Sequence, residues 1–240
     1  MNNDCASALK AALAAMLLLG GIGSAHGAEI SGNVTLASDY SFRGVSQTSR
    51  DPAIQGGFDV AWASGFYIGT WSSNVSFGVT SQELDLYLGY GGEINESLSW
   101  DVNYVRFEYP SAGSALDYNE VDASLSFSVF TVGLGYSNEY FALDDVAWFY
   151  PYFEYSQALP SDATLDFHIG MSLVDDNGAD DFTASFGDDQ VIDWSVTYTI
   201  PMGGVDLGIG VVGTDVDDDD CFGGSKDCST RAIVSLSKSL

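Results

Sequence analysis

From Ile30 onward the chain alternates apolar and polar side chains in short runs that recur at nearly regular intervals. The clearest run is 191–200, VIDWSVTYTI, with Ile192, Trp194, Val196, Tyr198 and Ile200 on one side and Asp193, Ser195, Thr197 and Thr199 on the other. Successive strand side chains point to opposite faces, so this pattern predicts a strand with one apolar and one polar face. Comparable runs occupy 30–40, 53–63, 66–71, 83–90, 98–108, 118–129, 130–136, 148–155, 163–174, 205–212 and 231–240. The count is about twelve strands of roughly 8 to 12 residues, an even number and the length that a tilted strand needs to cross a bilayer.

The connections sharpen the prediction, because their lengths alternate. Ser64-Gly65, GGEINES, the turn near Val129, LPSD and PMGG are short, while SFRGVSQTSRDP, SSNVSFGVTS, PSAGSALD, SNEYFALDD, DDNGADDFTASFGDD and TDVDDDDCFGGSKDCS are longer and carry most of the Asp runs. Short periplasmic turns and long outer loops characterise outer-membrane barrels. A secreted β-sandwich also alternates along its strands. It does not require loops of such regular length, nor Trp62, Trp100, Trp148 and Trp194 on or near strand ends, where they suit interfacial girdles. The predicted fold is all-β, a transmembrane antiparallel up-and-down β-barrel. Two places disturb the pattern. Arg106 falls on the apolar face, which calls for a bulge or a position at the headgroup rim, and Pro151 sits in a run that is aromatic on both faces.

Length and composition fit a single domain: 240 residues, mean hydropathy +0.08, 27 glycines and 13% aromatics. Lys10, the apolar run 11–22 and the small residues Ser24, Ala25, Gly27 and Ala28 read as a secretory signal. The expected division is a cleaved signal peptide over 1–27 and one barrel domain over 28–240, exported to the bacterial outer membrane. The formal charge is −27. Removing the signal takes Asp4 and Lys10 together and leaves that charge unchanged. So acidic a surface repels phosphate backbones, which excludes nucleic acid as a partner class. Cys5 leaves with the signal, and Cys221 and Cys228 in CFGGSKDC are expected to form a disulfide that staples a loop.

Strand acids gather on the polar face. Asp59, Glu83, Asp85, Asp101, Glu120, Asp122, Asp166, Asp193 and Asp206, together with His168, are the predicted pore-lining residues. Wall carboxylates in low-dielectric surroundings concentrate cations and repel anions, which points to a cation-favouring channel for passive diffusion of small solutes. The alternative is a closed barrel whose acidic loops bind ions or a partner. Catalysis finds little support. His168 has Asp166 and Ser172 on its own face, but no nucleophile motif such as G-x-S-x-G is present, so no enzymatic role is expected. Asp215, Asp217 and Asp219 in DVDDDD resemble the start of a calcium loop, yet Asp220 replaces the required glycine and Lys226 stands where a closing Glu belongs. Loosely held divalent cations bridging to lipopolysaccharide phosphates are the expected loop partners, beside the outer-membrane lipid itself. GGVDLGIG is a turn and strand with no following helix, and no haem, flavin or nucleotide signature appears, so no cofactor is expected.

The segments GNVTLASDYSFRGVSQT, PAIQGGFDVAW, GFYIGTWSSNV and ELDLYLGYGG, with the ending VSLSKSL, resemble the TorF family of porin-like proteins, the Gcw_chp set of conserved proteins of unknown function. The resemblance covers the mature chain, thins in the acidic loops, and implies an outer-membrane β-barrel without supplying a substrate or functional residues. The C-terminal strand departs from the usual barrel-assembly signal, with Lys238 at an expected apolar position and Leu240 where Phe is more common.

Overall fold

The computed structural model describes residues 27–78, 80–140, 146–175 and 178–240. The predicted signal peptide falls on residues 1–26 and Gly27, so all but its last residue lies outside them. In chain order the strands are β1 (Glu29–Ala37), β2 (Ser41–Phe42), β3 (Val45–Ser46), β4 (Ala53–Ala61), β5 (Phe66–Phe77), β6 (Thr80–Asn95), β7 (Leu98–Glu108), β8 (Tyr118–Phe127), β9 (Phe130–Ser137), β10 (Trp148–Ala158), β11 (Thr164–Val174), β12 (Gln190–Met202), β13 (Val205–Thr214) and β14 (Arg231–Ser239). Twelve of them, all but β2 and β3, form one closed antiparallel barrel in sequence order, and β1 pairs with β14 to shut the ring. Closure leaves the twelve-stranded wall without a free edge strand.

Polarity across the wall is the reverse of a soluble protein's. Outward positions such as Leu36, Ile54, Phe58, Leu88, Val121, Ile169 and Leu236 are exposed, whereas Gln55, Asp59, Glu83, Asn103, Glu120, Thr131, His168 and Asp193 are buried inside. At the end carrying the short turns, outward rings pair across strands: Trp62 with Phe66, Tyr90 with Trp100, and Phe130 with both Phe153 and Tyr155. Trp148 corrects the girdle assignment. Its side chain is 0% exposed and points inward, stacked on Tyr140 and Tyr150.

Several local expectations change. The polar stretch SSNVSFGVTS is not a long loop, because inward Ser73 and Val75 continue the alternation begun by Trp71, and β5 runs into a tight hairpin with β6 whose register shifts between Asn74 and Phe77. Arg106 needs no bulge. The β6–β7 register is unbroken through it, and its guanidinium reaches Asp117 at 2.9 Å beyond the strand end. Pro151 pairs with Leu134 on β9, while the ladder to β11 skips from Phe149 to Tyr152, which accommodates the missing N–H. Trp148, Tyr150 and Tyr152 thereby face inward, and Phe149 and Phe153 outward. Lys238 reaches the rim of the β12–β13 turn, donating to Gly204 O at 2.7 Å. The acidic loop after β11 contains a helix, α1 (Ala179–Phe186), which ends on Gly187 in the left-handed region with its N–H bonded to Thr183 O. Phe182 of α1 packs on Tyr140, and Phe186 on Phe222.

Inward glycines make room for inward tyrosines. Tyr67 of β5 lies over Gly89 of β6, and Tyr87 of β6 lies over Gly69 of β5, as a reciprocal pair. Tyr152 covers Gly133 and Tyr150 covers Gly170 in the same way. The rings lie against the wall, where their hydroxyls can reach carboxylates. A Cβ at Gly89 would meet Tyr67 Cζ at 2.3 Å, and Tyr67 is tethered by its bond to Asp101 at 2.9 Å. Gly89→Ala should therefore lower stability by about 1–3 kcal/mol through overpacking, read from the urea midpoint of the detergent-solubilised protein. Unchanged stability would show that the ring is free to swing away.

Candidate functional site

The interior is built around a piece of chain that the alternation pattern does not reveal. Residues 38–52, which link β1 to β4 and contain the β2–β3 hairpin, fold into the barrel mouth at its long-loop end instead of standing out from it. Two aromatic residues anchor the segment. Tyr40 packs edge-on against Trp71 at 5.3 Å and Phe42 against Phe107 at 6.0 Å. This explains why β5 and β7 carry Trp71, Val105 and Phe107 on the inner face: they form an apolar patch with Tyr40, Tyr109 and Tyr118. Within the segment, Asp39 accepts from Ser46 Oγ at 2.6 Å and from Thr48 Oγ1 at 2.9 Å, holding the hairpin in shape.

Arg43 sits at the tip of the hairpin and reaches furthest into the wall. Its Nη2 donates to Glu120 at 2.5 Å, and its guanidinium carbon lies 3.9 Å from the Trp148 ring centre, 4.3 Å from that of Tyr150 and 4.4 Å from that of Phe42. Burial opposes the charge, but the attraction of Glu120, with smaller contributions from Tyr118, Tyr140 and Tyr150, holds the Arg43 pKa above its ordinary value. The group stays a cation. Gly44 beside it has φ +80, and a Cβ there would meet Thr214 Cγ2 at 2.5 Å, so only glycine lets the hairpin approach β13 this closely.

The segment is clasped from the opposite side. Arg231 of β14 donates to Asp39 and to Gly44 O, and Ser46 N bonds Asp227 O at 2.9 Å. Arg50 donates to Lys226 O. Lys226 and Asp227 belong to the loop stapled by the Cys221–Cys228 disulfide, with an S–S distance of 2.06 Å. Two of the chain's few bases thus each pair with one interior acid, Arg43 with Glu120 and Arg231 with Asp39. The sequence signal for Arg43 is an arginine inside the turn-rich SDYSFRGVSQT of a strongly acidic chain.

The predicted acids separate into groups at different heights. Glu83, Asp85, Glu120 and Asp122, on the inner faces of β6 and β8, surround the Arg43 level. Glu83 accepts from Tyr40 at 2.5 Å and from Tyr109 at 2.7 Å. On the facing wall the Tyr150 hydroxyl donates to Asp193 at 2.8 Å and lies 2.7 Å from His168 Nε2. Glu154 stands 3.6 Å from His168 Nδ1. The histidine's neighbours therefore come from β10 and β12, whereas Asp166 bonds Ser156 and Thr164 further towards the short-turn end. Lower in the barrel, Tyr87 donates to Asp59 at 2.5 Å and Tyr67 to Asp101. Asp206 is half-buried next to the β12–β13 turn, opposite Ser237. Tyrosine is thus the main partner of these acids, which the polar-face pattern alone does not disclose.

A cleft follows the remaining wall. Between the hairpin and strands β1, β4, β12, β13 and β14, it is lined by Thr35, Gln55, Ser195, Thr197 and Ser235, and Arg43 and Asp193 also border it. The loop acids behave differently. Asp215 accepts from Ile192 N at 2.8 Å, and among the described residues no group of three or more His, Cys, Asp or Glu side chains is arranged to hold a metal ion. Asp215, Asp217 and Asp219 therefore do not converge as a calcium loop would require.

The chain belongs to the Gcw_chp family, described as bacterial protein of unknown function, whose model matches residues 22–240. No curated protein matches it. Among solved structures, the NanC porin shares the fold with a TM-score of 0.53 at 11% identity, covering 87% of this chain and 98% of that one. The KdgM porin in complex with disordered oligogalacturonate gives 0.49 at 11%, covering 88% and 98%. OprD from Pseudomonas aeruginosa gives 0.44 at 11%, covering 91% and 68%.

Removing one partner of a buried ion pair leaves the other charge uncompensated. Glu120→Gln is expected to lower stability by about 3–5 kcal/mol and to expose the hairpin, so that trypsin cleaves after Arg43 in the folded barrel while sparing the parent protein. A variant as resistant as the parent would show that the aromatic contacts alone hold Arg43.

Proposed function

We propose that this Gcw_chp protein is an outer-membrane channel for passive diffusion of small solutes, a TorF-type porin that favours cations. The observation that carries this reading is the reversed polarity of a closed twelve-stranded ring, with its apolar side chains exposed outside and its carboxylates buried inside. Such a wall suits lipid around it and water within it. The cleft along β12–β14, lined with small hydroxyl side chains, is the route for water and solute, and Asp193 at its edge favours positive charge. The inward hairpin narrows the mouth and limits the channel to small solutes. Acidic loop residues, including Asp180, Asp181 and those of 215–220, face the outer side and attract divalent cations that bridge to lipopolysaccharide.

A second reading has its own support. Residues 38–52 occupy the mouth and Arg43 pairs with Glu120 there, which supports a closed barrel whose role lies in its loops; conductance distinguishes it from the first. Single-channel recording of the purified protein across a planar bilayer under a potassium chloride gradient should give a conductance with a reversal potential of the cation-selective sign. Deleting residues 41–48 should raise that conductance severalfold. Absence of current in both proteins would favour the closed barrel, and anion preference would remove the role given to the acids.

The lipid-facing side is tested separately. Leu134 faces outward in the middle of β9 and is 46% exposed. Leu134→Arg is expected to cost about 2–4 kcal/mol of folding free energy in phospholipid vesicles, measured by urea titration. A neutral effect would argue against a membrane around that face.

A further inference from the structure

The chamber around Arg43 has walls that do not depend on the segment carrying it. Trp148 and Tyr150 come from β10, and Tyr140, stacked on Trp148 at 4.8 Å, comes from the preceding loop. Glu120 and Asp122 come from β8, and Glu83 and Asp85 from β6. Only Phe42 and Arg43 itself arrive on the hairpin. If the hairpin swings out, two stacked aromatic faces and a set of carboxylates remain in place. Asp85, 7% exposed, keeps one carboxylate oxygen without a hydrogen-bond partner on this inner surface, and so has capacity for a further donor.

Resting on the cation-channel reading and deepening it, we propose that this chamber is a binding site for solutes bearing a guanidinium or alkylammonium group, with Arg43 as its tethered competitor. A flat cation between aromatic rings and against a carboxylate is bound by quadrupole attraction and by charge together. Arg43 displays the pose that a free guanidinium would adopt: one face on Trp148, an edge to Glu120. The wall offers four carboxylates against this one arginine, so the chamber rejects anions and gives neutral solutes little. Arg43 has φ +48, a left-handed conformation disfavoured for a residue with a Cβ, so the contacts that hold the hairpin tip in the chamber work against a backbone cost that its release would relieve.

The test uses the full mature chain in detergent and reads tryptophan fluorescence during titration with methylguanidinium, with neutral methylurea as the isosteric control. Arg43→Ala should bind methylguanidinium roughly tenfold or more tightly than the parent, with no comparable response to methylurea. Glu120→Gln added to that variant should abolish the gain. Arg43→Gln carries the same expectation if the alanine variant does not fold. Equal affinity of variant and parent, or equal responses to the two probes, would overturn the proposal. The readout requires no current, so a protein that conducts without binding loses only this site, and one that binds without conducting loses only the channel.

Discussion

Backbone groups in an apolar surrounding must find partners within the protein, and here the pairing of β1 with β14 supplies the last of them. With the ring shut, each strand can present one face to a medium without hydrogen bonds and the other to an enclosed polar space. An open sheet of the same strands would expose a long edge and offer no interior for the buried and half-buried acids. Closure therefore precedes everything else in the molecule: the exposed leucines and phenylalanines, the buried carboxylates and the inward hairpin all presuppose it.

Inside the ring, the protein handles its acids by hydrogen bonding more than by neutralisation. Tyrosine hydroxyls from neighbouring strands supply donors to Asp59, Glu83, Asp101 and Asp193, and glycines opposite them let the rings lie along the wall. A tyrosine satisfies a carboxylate without bringing a second charge, so these four acids find buried donors other than arginine. Arginine is used sparingly, at the two positions where the hairpin meets the wall.

Period-two alternation made the barrel legible. The run 191–200 predicts β12 to within a residue or two at each end, and Arg231 to the C-terminus predicts β14, because a strand with an apolar outer face and a polar inner one keeps the alternation at nearly every position. The interior resisted the same reasoning. An inward face must only be compatible with what fills it, so Trp71, Val105 and Phe107 look misplaced until Tyr40 and Phe42 are packed against them. Trp148 misled for a related reason: a tryptophan at a strand end suits a girdle equally well on sequence alone, and only its partner Arg43, more than a hundred residues earlier, shows that it points inward. The helix after β11 was hidden by its Asp content, although Phe182 and Phe186 lie one helical turn apart.

The clasp on the hairpin joins the first loop of the barrel to the last. Residues 38–52 emerge early in the chain, but Arg231, Asp227 and Lys226, which hold them, belong to the final loop and strand. The latch therefore links stretches 176 to 192 residues apart in the sequence, and it can exist only where the first and last strands of the ring already lie side by side.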